Sequence, residues 1–172
     1  ISLNNNDKNI KEIFTRVLKG HIAVSNYKLK NKTIGSEIDI VARQSLKKIG
    51  LDYAHGTGHG VGYFLNVHEG PQSFSKNNKV KLKSGMIISN EPGFYKEGNF
   101  GVRIENLVYI KKNRFEELTM APIDKELIKR KMLKKVEIKW LNKYHDKVKT
   151  NLLKFMDPQE KANLIKACSP IQ

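Results

Sequence analysis

The stretches DYAHGTGHGVGYFLNVHEGP (52–71) and GMIISNEPGFYKEGNFGVRIENLVYI (85–110) set the fold class. Between Asp52 and Tyr109 the pattern is short apolar runs broken by glycine, proline and asparagine, which is how a sheet with tight connections reads. Met86-Ile87-Ile88 reads as a short buried strand running out at Ser89-Asn90-Glu91, where Pro92-Gly93 forces a turn. From Val102 to Ile110 alternate residues divide into two faces, with Arg103, Glu105, Leu107 and Tyr109 on one and Val102, Ile104, Asn106, Val108 and Ile110 on the other. Both faces are mostly apolar, so the expectation is one central strand with Glu105 inside it.

Helices flank this region on both sides. Ile10, Ile13, Phe14, Val17 and Leu18 recur at helical spacing behind Asp7, a candidate N-cap, and the helix is expected to run toward Tyr27. Ser36 and Asp39 resemble a capping box ahead of Ile38, Val41, Ala42, Ser45, Leu46 and Ile49, with Gly50 as the stop. Asp39 is therefore read as a cap and not as a ligand. After Pro122 the chain turns helical, with Leu127, Ile128, Val136, Trp140, Leu141, Tyr144, Val148, Leu152 and Phe155 available for packing. Asp157-Pro158 opens a last helix with N-cap and N1 residues suited to the job. The expected organisation is an α/β part over residues 1–122 and a helical extension over residues 123–172.

Composition narrows the classes. A chain of 172 residues with 39% hydrophobic content can bury a core. The formal charge of +15, from 32 Lys and Arg against 17 Asp and Glu, raises the question of nucleic acid. The lysines are scattered, as in Lys30-Asn31-Lys32 and Lys76-Asn77-Asn78-Lys79, so they read as a solvated surface and not as a nucleic-acid face. The single Cys168 excludes an internal disulfide and fits a reducing compartment. No apolar run approaches the ~20 residues needed to span a bilayer, and residues 1–7 do not have the form of a signal peptide.

Chemistry concentrates in the glycine-rich segment. His55, His59 and His68 lie within fourteen positions, set among glycines that allow close backbone approach. By itself that is equally the pattern of a glycine-rich loop with packed histidines. The carboxylates shift the balance. Glu91 ends one apolar run and Glu105 lies in another, where an ionised group needs a cation or strong donors. For Glu105 an ion pair with Arg103 competes with a shared third group on the same face. One imidazole and two carboxylates converging would give a mixed nitrogen and oxygen site suited to Mn, Co or Zn.

HGTGHGVG (55–62), NVHEGP (66–71), SNEPGFY (89–95) and GVRIEN (101–106) occur here in the order found in eukaryotic aminopeptidase P, and the chain resembles the C-terminal part of that family of Xaa-Pro aminopeptidases. Trp140-Leu141-Asn142-Lys143-Tyr144-His145 resembles the C-terminal extension of its cytosolic branch. The resemblance implies the pita-bread fold, two pseudo-symmetric halves around a curved antiparallel sheet with helices outside, of which this chain is mainly the second half. It implies His59, Glu91 and Glu105 as metal ligands, with Glu105 bridging two ions and Glu91 also shuttling a proton. His55 and His68 become non-ligand histidines at the scissile bond, and Arg103 the supporting arginine. His21 and His145 match no active-site position.

The same resemblance implies two divalent ions, expected to be Mn²⁺ with Co²⁺ or Zn²⁺ as alternatives, and a bridging hydroxide attacking the carbonyl before proline. Substrates are peptides with proline at the second position, the compartment is the cytoplasm, and no membrane or nucleic acid is involved. A homodimer is implied, with Trp140 and Tyr144 as its expected anchors. The family's remaining ligands are two aspartates in upstream segments that do not occur here. Because the first residue is Ile1, the expectation is a fragment starting just after them, which needs the upstream half and is inactive alone. Two other readings share the fold: a non-catalytic binding module for protein or nucleic acid, which the basic charge favours, and a methionine aminopeptidase or prolidase-type peptidase, where the extension and NVHEGP favour the prolidase and aminopeptidase P side over methionine aminopeptidase.

Overall fold

Asp7 begins the first helix in the expected way: its carboxylate accepts the Asn9 amide at 2.7 Å and its carbonyl accepts that of Lys11 at 3.1 Å. The computed structural model describes residues 7–64 and 66–172. The signal-peptide reading rested largely on residues 1–6, which lie outside that range. Two compact units are present: Arg16–Thr119, and the residues up to Thr15 together with Met120–Gln172.

Within the larger unit, helix α1 (Lys8–Ser25) ends and α2 (Gly35–Lys47) follows. The α2 start departs from the expected capping box. Ile34 is the N-cap residue, and its amide is taken by Glu37 at 3.3 Å. Asp39 therefore lies inside the helix and is buried, together with Ile38, Ala42, Arg43 and Leu46. The two-residue shift turns Asp39 from a cap into an interior carboxylate, with consequences taken up below.

The strands are short and antiparallel. β1 (Gly58–His59) pairs with β2 (Ser73–Phe74), β3 (Ile87–Asn90) pairs with β6 (Asn106–Lys111), β6 pairs with β7 (Arg114–Glu117), and β4 (Gly93–Lys96) forms a hairpin with β5 (Phe100–Arg103). β6 is central in its sheet, as expected, but the Val102–Ile110 strand is not continuous. It breaks at Ile104–Glu105, where the Ile104 amide turns to the Pro92 carbonyl at 3.3 Å. The alternation survives the break: Val102, Ile104, Asn106, Val108 and Ile110 are buried, while Arg103 and Glu105 are exposed. Glu105 therefore stands at a junction between two sheets and is not a buried strand charge. Val24, Leu29, Ile38, Ala42, Phe74, Leu82, Ile88, Val108, Ile110 and Phe115 make the core, with Phe74 and Phe115 edge to face at 5.5 Å.

In the other unit, α3 (Lys135–Leu152) buries Ile138, Leu141, Tyr144, His145 and Val148. The expected stripe was wrong at two positions, since Val136 and Phe155 are exposed. Tyr144 is buried, donates to the Ala121 carbonyl at 2.8 Å and stacks on Trp140 at 5.3 Å, so it is a packing residue and not an exposed anchor. Helix α4 (Pro158–Ala167) starts as expected, with Asp157 accepting the Glu160 amide at 2.8 Å.

His145 is fully buried, and its Nε2 accepts the Ile123 amide at 3.1 Å, so the ring is neutral. Burial holds its pKa down to about 4, with Lys125 and Lys149 adding to the effect and Asp146 opposing it. The unfolded chain takes up this proton first, near the ordinary 6.5. Stability from this site is therefore complete above pH 6.5 and lost as pH falls toward 4. At about 1.4 kcal/mol per pKa unit, the loss approaches roughly 3 kcal/mol. Melting curves of the full-length protein and its His145→Gln variant should converge across this window as pH falls; parallel curves would exclude the coupling.

Candidate metal centre

His59 is placed by its backbone. Gly58 runs against β3 so closely that a Cβ there would come within 1.8 Å of the Ser89 carbonyl oxygen, so only glycine fits. The His59 amide donates to Ser89 Oγ at 2.9 Å. His59 Nδ1 lies 2.9 Å from the Gly60 carbonyl, which can only accept, so the ring proton sits on Nδ1 and the Nε2 lone pair is left for a ligand. That Nε2 is 3.4 Å from Glu91 Oε1.

Glu91 is buried at the end of β3 and held on several sides. Its amide donates to the Thr57 carbonyl at 2.8 Å, Ser89 Oγ donates to Oε1 at 2.9 Å, and Arg103 Nη1 approaches Oε2 at 3.6 Å. Ser89 and Glu91 share a strand face through the period of two, so one hydroxyl ties both His59 and Glu91 to β3. Glu105 enters from the β5–β6 break. One donor atom from each of His59, Glu91 and Glu105 lies within 4.8 Å of the others.

Donors bound at ~2.0–2.2 Å stand at most about 4.4 Å apart across one ion, so this spread is close to a coordination shell and needs only a small contraction. A single imidazole with two carboxylates is the donor chemistry of Mn, Co or Zn. The residues present fit a divalent ion, and for this chain the ligand set is a proposal.

The other expected residues lie around this cluster. His55 Nδ1 is 2.7 Å from the Gly56 carbonyl, so its proton is on Nδ1. Its Nε2 then accepts from the Tyr95 hydroxyl at 3.0 Å, and that hydroxyl accepts Arg103 Nε–H at 2.8 Å. The Tyr95 hydroxyl raises the Arg103 pKa, and the Glu91 and Glu105 carboxylates add to it. His68 does not join the donor group; its ring packs on that of His59 at 4.1 Å, on an exposed loop. His21 and His145 are buried away in packing positions.

Sequence reasoning missed three contributors. Tyr95 stood in a quoted motif without a role, although it follows Gly93 by two residues and Arg103 is paired with that glycine. Ser89 was readable as the same-face neighbour of Glu91. Asp39 was assigned to a cap and was not readable as a partner of Thr57.

Residues 1–112 match the metallopeptidase family M24 and residues 112–171 match the C-terminal region of peptidase M24, so the chain belongs to this metallopeptidase family and has its pita-bread fold. The probable Xaa-Pro aminopeptidase P of Coprinopsis cinerea is 49% identical over 150 residues, 78% of this chain and 24% of that protein. Xaa-Pro aminopeptidase 1 of Dictyostelium discoideum is 44% identical over 159 residues, 85% of this chain and 25% of that protein. The X-prolyl aminopeptidase from Caenorhabditis elegans, described as a cytosolic enzyme with a di-nuclear active site, superposes with a TM-score of 0.92 at 36% identity, over 99% of this chain and 30% of its own. The chain thus spans about a quarter of the length of the curated relatives it matches.

Proposed function

We propose that this chain is the C-terminal part of an Xaa-Pro aminopeptidase, which releases the N-terminal residue of peptides with proline at the second position. The observation that carries the reading is the convergence of His59, Glu91 and Glu105 donor atoms within 4.8 Å. A prolidase from Pyrococcus furiosus and an X-Pro aminopeptidase from Thermotoga maritima cover 72% and 71% of this chain, whereas the nematode aminopeptidase covers 99%, which supports the branch that carries the C-terminal helices.

Divalent ions held by His59, Glu91 and Glu105, together with ligands from the rest of the protein, would supply Lewis acidity to the scissile carbonyl and a more acidic water; we propose two such ions, Mn²⁺ by preference. The chain's own residues do the positioning and proton work. Glu91, with Oε1 already hydrogen-bonded by Ser89, accepts the proton of the attacking water and returns it to the prolyl nitrogen as the bond breaks. Arg103 brings a positive charge to the other Glu91 oxygen, with Nη1 3.6 Å from Oε2. His68, whose ring packs at a tilt against that of His59 outside the donor group, is assigned here to substrate contact. His55 presents a defined tautomer backed by Tyr95.

Among the described residues no helix is long and apolar enough to cross a membrane. A cytosolic location is part of the proposal, supported by the description of the nematode enzyme. So is a homodimer, which would need an anchor other than Tyr144.

Full-length protein stripped with chelator and assayed on Arg-Pro-Pro peptides should release arginine only after Mn²⁺, Co²⁺ or Zn²⁺ is restored. Cleavage of Met-Ala peptides with none before proline would make it a methionine aminopeptidase. Cleavage of neither would leave a binding module.

A further inference from the structure

The loop carrying His55 is gripped by α2 through contacts that the proposed chemistry does not use. Asp39 and Arg43 are buried one helical turn apart, with Arg43 Nε donating to Asp39 Oδ2 at 2.9 Å. The other Asp39 oxygen, Oδ1, accepts both the Thr57 amide at 3.2 Å and the Thr57 hydroxyl at 2.7 Å. Arg43 spends its remaining donors on the same loop. Nη1 donates to Asp52 Oδ1 and to the Tyr53 carbonyl, each at 2.7 Å, and Nη2 donates to the His55 carbonyl at 2.6 Å. The guanidinium lies 3.9 Å from the centre of the Tyr53 ring, whose hydroxyl donates to Thr57 Oγ1, since the Thr57 proton is already committed to Asp39.

Residues 53–57 are thus held by their carbonyls from Arg43 and by an amide and a hydroxyl from Asp39. Four acceptors in three directions need the forked guanidinium, and a lysine, with three donors on one nitrogen, cannot replace it. A buried ion pair of this kind contributes little net stability compared with well-packed apolar side chains. What it does supply is geometry. His59 has its own anchor in Ser89, and the Thr57 carbonyl holds the Glu91 amide at 2.8 Å through a backbone bond that side-chain changes at Arg43 and Thr57 leave in place, so the side-chain grip acts on His55.

We propose that Asp39 and Arg43 are positioning residues for His55, fixing the 53–57 backbone so that the imidazole keeps one tautomer and one place against Tyr95. The inference rests on the peptidase reading above. Small displacements of a reacting group cost on the order of 100-fold in rate, and that sets the expected effect.

The test is a double-mutant cycle in the full-length, Mn²⁺-loaded protein. Arg43→Lys should lower kcat about 100-fold, with KM and metal content unchanged, but less than about twofold in a His55→Ala background. Thr57→Val, which keeps the volume and backbone, should lower kcat about tenfold with the same dependence on His55, and Thr57→Ser should recover most of that loss. If Arg43→Lys does not fold, Thr57→Val carries the cycle. A readout independent of turnover is ¹⁵N NMR of the imidazoles in the protein loaded with diamagnetic Zn²⁺. His55 should show a protonated Nδ1 and an unprotonated Nε2 in the parent protein, and an averaged pair of signals in Arg43→Lys or Thr57→Val. Equal losses with and without His55, a lowered Tm at unchanged kcat, or His55 signals unmoved by the variants would overturn the proposal. A parent protein that fails on every prolyl peptide would sink the peptidase reading instead, and the NMR comparison would still decide the positioning role.

Discussion

Glu105→Ala in the full-length protein is expected to lower kcat/KM for a prolyl peptide by more than about 1,000-fold and to remove bound metal, while Tm stays within a few degrees. Loss of a group that only supports a metal ligand already costs about 10–100-fold, and Glu105 is proposed as a ligand itself. The expected separation of activity from stability follows from its location. Glu105 is exposed at the break between β5 and β6, and among the described residues it fills no core position, so its truncation opens no cavity. Arg103 and Glu91 keep their own approach in its absence. Elemental analysis beside steady-state kinetics and thermal melting checks the result. A variant that keeps its metal and loses less than tenfold in kcat/KM would show that Glu105 is paired with Arg103 only, and that the ion lies elsewhere.

The second large expected effect is that the 172 residues alone should fail to cleave prolyl peptides and should hold at most one divalent ion, with activity restored when the rest of the protein is supplied. Two ions ~3.5–4 Å apart repel each other and need several carboxylates between and around them. Among the described residues, Glu91 and Glu105 are the carboxylates brought to the cluster. Several other acidic groups in the same unit are committed. Asp39 is bonded to Arg43 and Thr57, Asp52 to Arg43, and Glu117 to Asn106 and Ser25. Glu69 accepts from Asn66. Calorimetric titration with Mn²⁺ gives the stoichiometry, and arginine release from Arg-Pro-Pro gives the activity. Two tightly held ions and turnover in the isolated chain would mean that the donor set has been misplaced.

The particular places where sequence reading succeeded share a physical feature: the signal was local. Asp7 and Asp157-Pro158 specify helix starts through bonds closed within three residues, and both starts are where they were expected. The alternation from Val102 to Ile110 gives the burial of every residue on its apolar side, because a pleated chain sends neighbours to opposite faces whatever else it touches. His59, Glu91 and Glu105 could be picked out because charged or metal-binding groups at strand ends and in glycine-rich turns need compensation.

Tertiary structure decided the rest. Whether the Val102–Ile110 run stays one strand depends on Pro92, which takes the Ile104 amide and breaks the ladder beside Glu105. Whether Asp39 caps a helix or fixes a loop depends on Glu37 reaching Ile34 first and on Thr57 arriving from eighteen residues away. Tyr144 looked like an anchor because aromatic residues suit both interfaces and cores, and only its burial and its bond to Ala121 tell the two apart. The sequence by itself determined the family, the two Asp-capped helix starts, the buried side of the Val102–Ile110 run and the types of donor. Distance, tautomer and the choice of partner for each polar group were decided by packing, because those depend on segments that meet in space and leave no local trace in the chain.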